Sequence, residues 1–177
     1  VSIMNHIVDA ANETPELGRN FGIPMLNLKE KKNQDKTYIL ELSSFQLMTL
    51  GSSPKVGVVL KVSSEHLDWH KTVEEYRDAK ANLVRYQKPF DCCVYMQDAL
   101  PTSEIAENSA AQKFPFGSGE NAVAKIEGDS LKIGNISLHL SECKVRGIYQ
   151  LENMAAATLA TLAIGVDIHV IFEALKT

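Results

Sequence analysis

Two short, almost uninterrupted apolar runs constrain this chain more than any other feature. Val56 to Val62 reads VGVVLKV and Asp91 to Met96 reads DCCVYM, with little of the alternation that a sheet with one wet face requires. Thr37 to Leu42, TYILEL, has the same character. Runs of this length and composition suit strands covered on both faces, as in a parallel sheet between two layers of helices.

Helical periodicity fills the intervals. Ile3, Met4, Ile7, Val8 and Ala11 form a stripe from the first residues onward. Thr72 to Gln87 predicts a helix, and Pro101 to Gln112 a second with Pro in its first turn. Leu151 to Ile164 predicts an Ala-rich third, with Leu151, Met154, Ala155, Thr158 and Leu162 on one face. Gly165 stops it, and Asp167 caps a short last helix to Leu175. Strands alternating with helices predict an α/β fold: three layers, with a mostly parallel central sheet flanked by helices.

Phe114 to Leu140 reads differently. Gly117-Ser118-Gly119, Gly128-Asp129-Ser130 and Gly134-Asn135 separate short β-type pieces, which predicts a small antiparallel subregion beside the main sheet. Asn12 to Pro15 supplies breakers, Gly18 to Gly22 a loop, and Lys29 to Lys36 a solvated charge run.

At 177 residues and 45% apolar, residues 1–177 make one domain with a real core. The balance of 22 acidic against 18 basic residues offers no excess positive charge to a phosphate backbone, so no nucleic-acid partner is expected. The apolar runs fall far short of the roughly 20 residues a membrane span needs, so no membrane partner is expected either. Cys92, Cys93 and Cys143 form no CxxC pair, which fits a reducing cytoplasm. The helical stripe is already under way at Val1-Ser2-Ile3-Met4, which gives the expectation of an excised fragment.

Ligands of open α/β sheets collect at the carboxyl ends of the strands, where the chemically interesting residues cluster. Glu41 closes the TYILEL run, where a buried carboxylate needs a metal, a substrate or a paired cation unless it faces outward on an edge strand. The next strand ends in Ser63-Ser64-Glu65-His66-Leu67-Asp68-Trp69-His70. His66, Asp68 and His70 either converge on a divalent ion or sit in a solvated loop with Asp68 capping a helix. Lys80 falls within the stripe of Val73, Tyr76, Leu83 and Val84. It either snorkels out past Tyr76 or is a desolvated functional amine. Cys92 and Cys93 point to opposite faces of a strand as packing residues. Asn153, in the first turn of the Ala-rich helix, either contacts a ligand or caps. No dinucleotide fingerprint and no Gly-Lys-Ser/Thr occurs.

Together these segments resemble the central domain of the Mur ligases, ATP-dependent amide-forming enzymes of peptidoglycan synthesis. The resemblance covers nearly the whole chain. Leu40-Glu41-Leu42-Ser43-Ser44-Phe45-Gln46-Leu47 looks most like the branch that adds D-glutamate. Gly18-x-Asn20-x-Gly22, Glu65-His66-Leu67-Asp68 and Tyr76-Arg77-x-Ala79-Lys80 also match the family. The resemblance implies that Glu41 and His66 help hold Mg²⁺ and that Lys80 becomes carbamylated, adding oxygen ligands suited to that hard ion. It places Asn20 and Ser43 on the muramoyl-substrate side and Asn153 near the nucleotide.

The implied reaction converts a substrate carboxylate and ATP into an acyl phosphate, which the amine of D-glutamate attacks. The implied partners are a UDP-linked muramoyl peptide, D-glutamate, and amino- and carboxy-terminal domains of the same protein. A P-loop is expected immediately before Val1, so the chain by itself is expected to bind Mg-ATP weakly and to be inactive. Lys61 stands where the family commonly has Asn, and Tyr149-Gln150 replaces a usual His-Asn pair. The competing expectations are a folylpolyglutamate-type or other ATP-dependent ligase, a binding domain without catalysis, and a metal hydrolase built on His66, Asp68 and His70.

Overall fold

The computed structural model describes residues 1–11, 15–18, 37–62, 72–145 and 147–177. Its main sheet has six strands in chain order: β3 (Val56–Val59), β4 (Cys92–Met96), β5 (Gln112–Gly117), β6 (Ala124–Glu127), β7 (Ser130–Ile133) and β8 (Ile136–His139). The first four run parallel, and β6, β7 and β8 continue as an antiparallel meander. Two further strands, β1 (Glu16–Gly18) and β2 (Tyr38–Leu40), pair in parallel with each other.

Each parallel strand feeds both helical layers because its side chains alternate. Val94, Met96 and Phe116 face the layer of α1 (Ser2–Ala10), α5 (Tyr149–Ala163) and α6 (Ile168–Lys176). Val59 and Cys93 face the opposite layer, made by α3 (Val73–Arg85) and α4 (Leu100–Glu107). This is the expected three-layer α/β fold.

Helix α5 is covered more completely than one apolar face requires: every residue from Met154 to Thr161 is buried. Small Ala side chains let neighbouring backbones come close. The hydroxyls of Thr158 and Thr161 are satisfied within the helix, donating to the carbonyls of Met154 and Ala157 at 2.7 and 2.8 Å. Helix α6 is capped by Asp167, whose carboxylate accepts from the His169 N–H at 2.8 Å.

Three expectations need correction. The antiparallel region begins at Ala124, not Phe114, and extends the main sheet instead of lying beside it. The turn Gly117-Ser118-Gly119 does not close a hairpin. The Asp98 carboxylate accepts from the Ser118 N–H, the Ser118 hydroxyl and the Gly119 N–H at 2.6, 2.9 and 3.1 Å. That holds the turn against the end of β4, and Gly117, at φ +135°, has a conformation few other residues adopt. Only Phe116↔Ala124 and Gly117↔Lys125 then pair, so a compact loop suffices where a full parallel crossover would need a dozen or more residues. The true hairpins are Gly128-Asp129 and Gly134-Asn135, each glycine at φ +56°.

Second, the Pro101 helix ends at Glu107, and Gln112 already belongs to β5. Asn108 closes it by turning its side-chain amide back onto the carbonyl of Glu104 at 2.9 Å. Third, a five-residue helix, α2 (Ser44–Met48), follows β2. It overlaps the motif segment Leu40 to Leu47, for which no helix is expected, and runs one residue beyond it.

Candidate active site

The expected ligand side of the sheet is the carboxyl end of its parallel strands. β2 leads there through Glu41, Leu42 and Ser43 into α2. Glu41 is exposed, as is Leu40, while Ile39 is buried. The expectation of a carboxylate inside a covered strand is therefore corrected. Among the described residues β2 pairs only with β1, and an edge position leaves its end open to water. Glu41 has the exposure a ligand-binding carboxylate needs and none of the desolvation that would force it to find a partner.

Ser43 is the N-cap of α2. Its hydroxyl accepts from the Gln46 N–H at 3.4 Å, and the Gln46 side-chain oxygen accepts from the Ser43 N–H at 2.9 Å. This capping box was legible as Ser43-x-x-Gln46, a signal the motif reading passed over. The hydroxyl also lies 3.1 Å from that Gln46 oxygen, so Ser43 is engaged within its own helix start.

Lys80 sits between Tyr76 and Val84 in angle, as its stripe predicted, yet it is half-buried, not part of the core. Its ammonium lies over the Tyr76 ring, 4.9 Å from the centroid. The inner positions of α3 go to Tyr76, Ala79, Ala81, Asn82 and Val84, while Val73 and Leu83 are only half-buried. Small and polar residues, which an apolar stripe does not weigh, took the closest approach. Lys80 is thus half-buried, with its ammonium stabilised by the ring face.

Asn20, His66, Asp68 and His70 lie outside the described residues. Among the described residues no three His, Cys, Asp or Glu side chains gather as a metal site. Of the implied Mg²⁺ set, the exposed Glu41 carboxylate alone offers a described oxygen donor, since an amine supplies none until modified. The described donors are thus insufficient by themselves for Mg²⁺.

Because α5 starts at Tyr149 and not at Leu151, Asn153 lies one turn in; it is half-buried, its amide donating to the Gln150 side-chain oxygen at 3.2 Å. Both residues line a cavity of about 410 Å³ with Val1, Ser2, Val58 and Leu60. The carboxyl end of β3, the start of α5 and the amino end of α1 therefore meet at one hollow. The dipole at the start of α1 makes its wall favourable to anions.

Of the two cysteines expected to pack, Cys93 does so. Cys93 is fully buried against α3 and α4, and burial pushes its thiol up to about 11. Cys92 is half-buried, and all three cysteines are free.

A sheet covered by helices on both faces, with a hollow at the carboxyl end of β3, defines the class as a three-layer α/β domain. The match is closer than the class: the family known as the Mur ligase middle domain matches residues 2–161, and the chain belongs to it. It is 36% identical over 162 residues to the UDP-N-acetylmuramoylalanine–D-glutamate ligase of Clostridium kluyveri, covering 90% of this chain and 35% of that protein. With the ligase of the same name from Acetivibrio thermocellus it shares 38% over 154 residues, 82% of this chain and 33% of that protein. The chain thus spans about a third of the length of these curated relatives.

Among solved structures, MurF from Acinetobacter baumannii superposes with a TM-score of 0.75 at 18% identity, covering 99% of this chain and 42% of that one. MurF from Thermotoga maritima in complex with ADP gives 0.67 at 19%, covering 96% and 44%. At these identities the likeness establishes the fold.

Proposed function

We propose that the chain is the middle domain of an ATP-dependent carbon–nitrogen ligase that joins D-glutamate to UDP-N-acetylmuramoyl-L-alanine in cell-wall synthesis. The observation that carries this reading is identity of 30–38% to D-glutamate ligases along most of the chain. The segment Leu40 to Leu47, which looks most like that branch, belongs to the same reading. A cytoplasmic setting belongs to the same reading and agrees with three free cysteines. Among the described residues no helix is long and apolar enough to cross a membrane.

In this reading the hollow beside Asn153 and the start of α1 receives ATP, with α1 favouring its phosphates. Glu41, His66 and a carbamylated Lys80 would hold Mg²⁺, which would supply charge neutralisation at that site. Asn20 and Ser43 contact the muramoyl substrate. The substrate carboxylate takes the γ-phosphoryl group, and the D-glutamate amine then displaces phosphate from the acyl phosphate. The carboxy-terminal domain, with the amino-terminal one, completes the substrate sites.

The test is phosphate release by the intact protein. ATP and UDP-N-acetylmuramoyl-L-alanine should release phosphate only when D-glutamate is added, with formation of the dipeptide product. Turnover with a folate and L-glutamate, or with another amino acid in place of D-glutamate, would overturn the assignment.

A further inference from the structure

A five-residue helix such as α2 cannot hold its conformation by itself, because nucleating a turn costs more than so few hydrogen bonds return. Its amino end is fixed by the Ser43–Gln46 box. Its other end is fixed from α3. The Asn82 side-chain amide, in a buried position, donates to the Leu47 carbonyl at 3.0 Å. That amide is itself held, since its oxygen accepts from the Arg85 guanidinium at 2.6 Å. A second tie lies beyond α2. The Ser53 hydroxyl donates to the Asn82 main-chain carbonyl at 3.0 Å and accepts from the Tyr86 N–H at 3.0 Å.

Buried Leu47 also joins α2 to the domain, but apolar contact has no direction and tolerates sliding. The Asn82 bond does not. It sets where α2 stands along α3, and α3 carries Lys80 two residues before Asn82. The other end of α2 begins at Ser43, two residues after Glu41. The short helix is therefore a strut between the Glu41–Ser43 segment and the helix that carries Lys80.

We propose that Asn82 is a positioning residue, setting the placement of Glu41 and Ser43 relative to Lys80 through its bond to Leu47. This rests on the functional reading in which those three residues work together. It adds a residue that touches neither nucleotide nor substrate.

Asn82→Asp is the sharpest variant. It keeps the shape and the Arg85 partner, loses the N–H donor, and sets a carboxylate against the Leu47 carbonyl. Asn82→Ala provides the same test should that carboxylate prevent folding. Ser53→Ala is the control, because it loosens the neighbouring tie without touching α2. In the 177-residue chain, amide exchange read by mass spectrometry should rise across residues 44–50 in either Asn82 variant and stay unchanged over residues 76–84. In the intact ligase the Asn82 variants should lower kcat by about tenfold to a hundredfold, the cost of a misplacement on the order of 1 Å, with the KM for ATP nearly unchanged. Ser53→Ala should lower the melting temperature and leave kcat alone.

The proposal is overturned if the Asn82 variants exchange like wild type over residues 44–50. It is overturned equally if kcat falls no more in them than in Ser53→Ala at matched loss of stability. Failure of the functional reading is recognised separately. The wild-type protein would then show no D-glutamate-dependent phosphate release, while the exchange result on α2 would stand, and Asn82 would be a structural strut alone.

Discussion

Lys80 has two candidate duties that a single substitution separates. Lys80 is half-buried with its ammonium over the Tyr76 ring, and such a contact contributes about 0.5–1 kcal/mol near a surface. Lys80→Ala should therefore change the unfolding free energy by about 1 kcal/mol or less in urea titration. In the intact protein the same change should remove most D-glutamate-dependent turnover, with partial recovery on adding small carboxylates that occupy the vacated oxygen position. Turnover near wild type would leave the Tyr76 contact as the whole role of the residue. Glu127 offers a pH test away from the site. It pairs with Lys125 and Lys132 at 2.8 and 2.5 Å, and these bonds hold its carboxyl down at about 2. Because the folded pKa lies below the unfolded one, the stabilisation is full above the ordinary carboxylate value and fades as pH falls toward 2. The melting temperature of wild type should exceed that of Glu127→Gln slightly at pH 6. The difference should shrink between pH 4.5 and 2, and 1 M salt should reduce it at pH 6, since Glu127 is exposed.

At the scale of elements, the contact between β3 and α3 is set by an absent side chain. A Cβ on Gly57 would lie 3.0 Å from Val84 Cγ1 and 3.1 Å from Gln87 Nε2. Gln87 is buried, and its amide donates to the carbonyls of Pro54 and Cys92 at 3.1 and 2.8 Å. Its oxygen accepts from the Ser109 hydroxyl at 2.7 Å. Gly57→Ala must push one of these neighbours aside, and displacing Gln87 would leave buried carbonyls without donors. The expected loss is about 1–3 kcal/mol, read from the urea midpoint at constant m-value. A neutral result would mean that Val84 alone yields and the amide network stays intact.

Across the whole molecule, one face of the sheet is organised around Phe116. It is fully buried on β5 among residues contributed by α5 and by neighbouring strands. Phe116→Ala removes a ring from the larger core, which should lower stability by about 3–5 kcal/mol. A marginally stable domain would then be mostly unfolded at 37 °C, visible in circular dichroism as a shifted or missing transition. If the loss is near 1 kcal/mol, the layer of α1, α5 and α6 collapses into the space, and this core is softer than its packing implies.

Covered strands, flanking helices and the layer order were determined by the sequence itself, because Val56–Val62 and Asp91–Met96 have no wet face to offer and their intervals carry a helical period. The two-residue Gly128-Asp129 and Gly134-Asn135 turns and the Asp167 cap were equally local in origin, since each depends on the conformation or hydrogen bonding of adjacent residues. The Leu40 to Leu47 motif was legible as a family resemblance, and the chain belongs to that family. Other features were decided only by tertiary structure. Gly117-Ser118-Gly119 looks like a hairpin until Asp98, twenty residues earlier, takes its N–H groups. Glu41 looks buried until β2 proves to be edge-like among the described residues. Lys80 has a core angle, yet its depth depends on where the Tyr76 ring lies. Asn82 reads as an ordinary polar residue on a helix, and only the approach of Leu47 gives its amide a task. For the turn and for Asn82 the deciding partner is distant in sequence, and local propensity and periodicity hold no information about contacts that form only when the layers close.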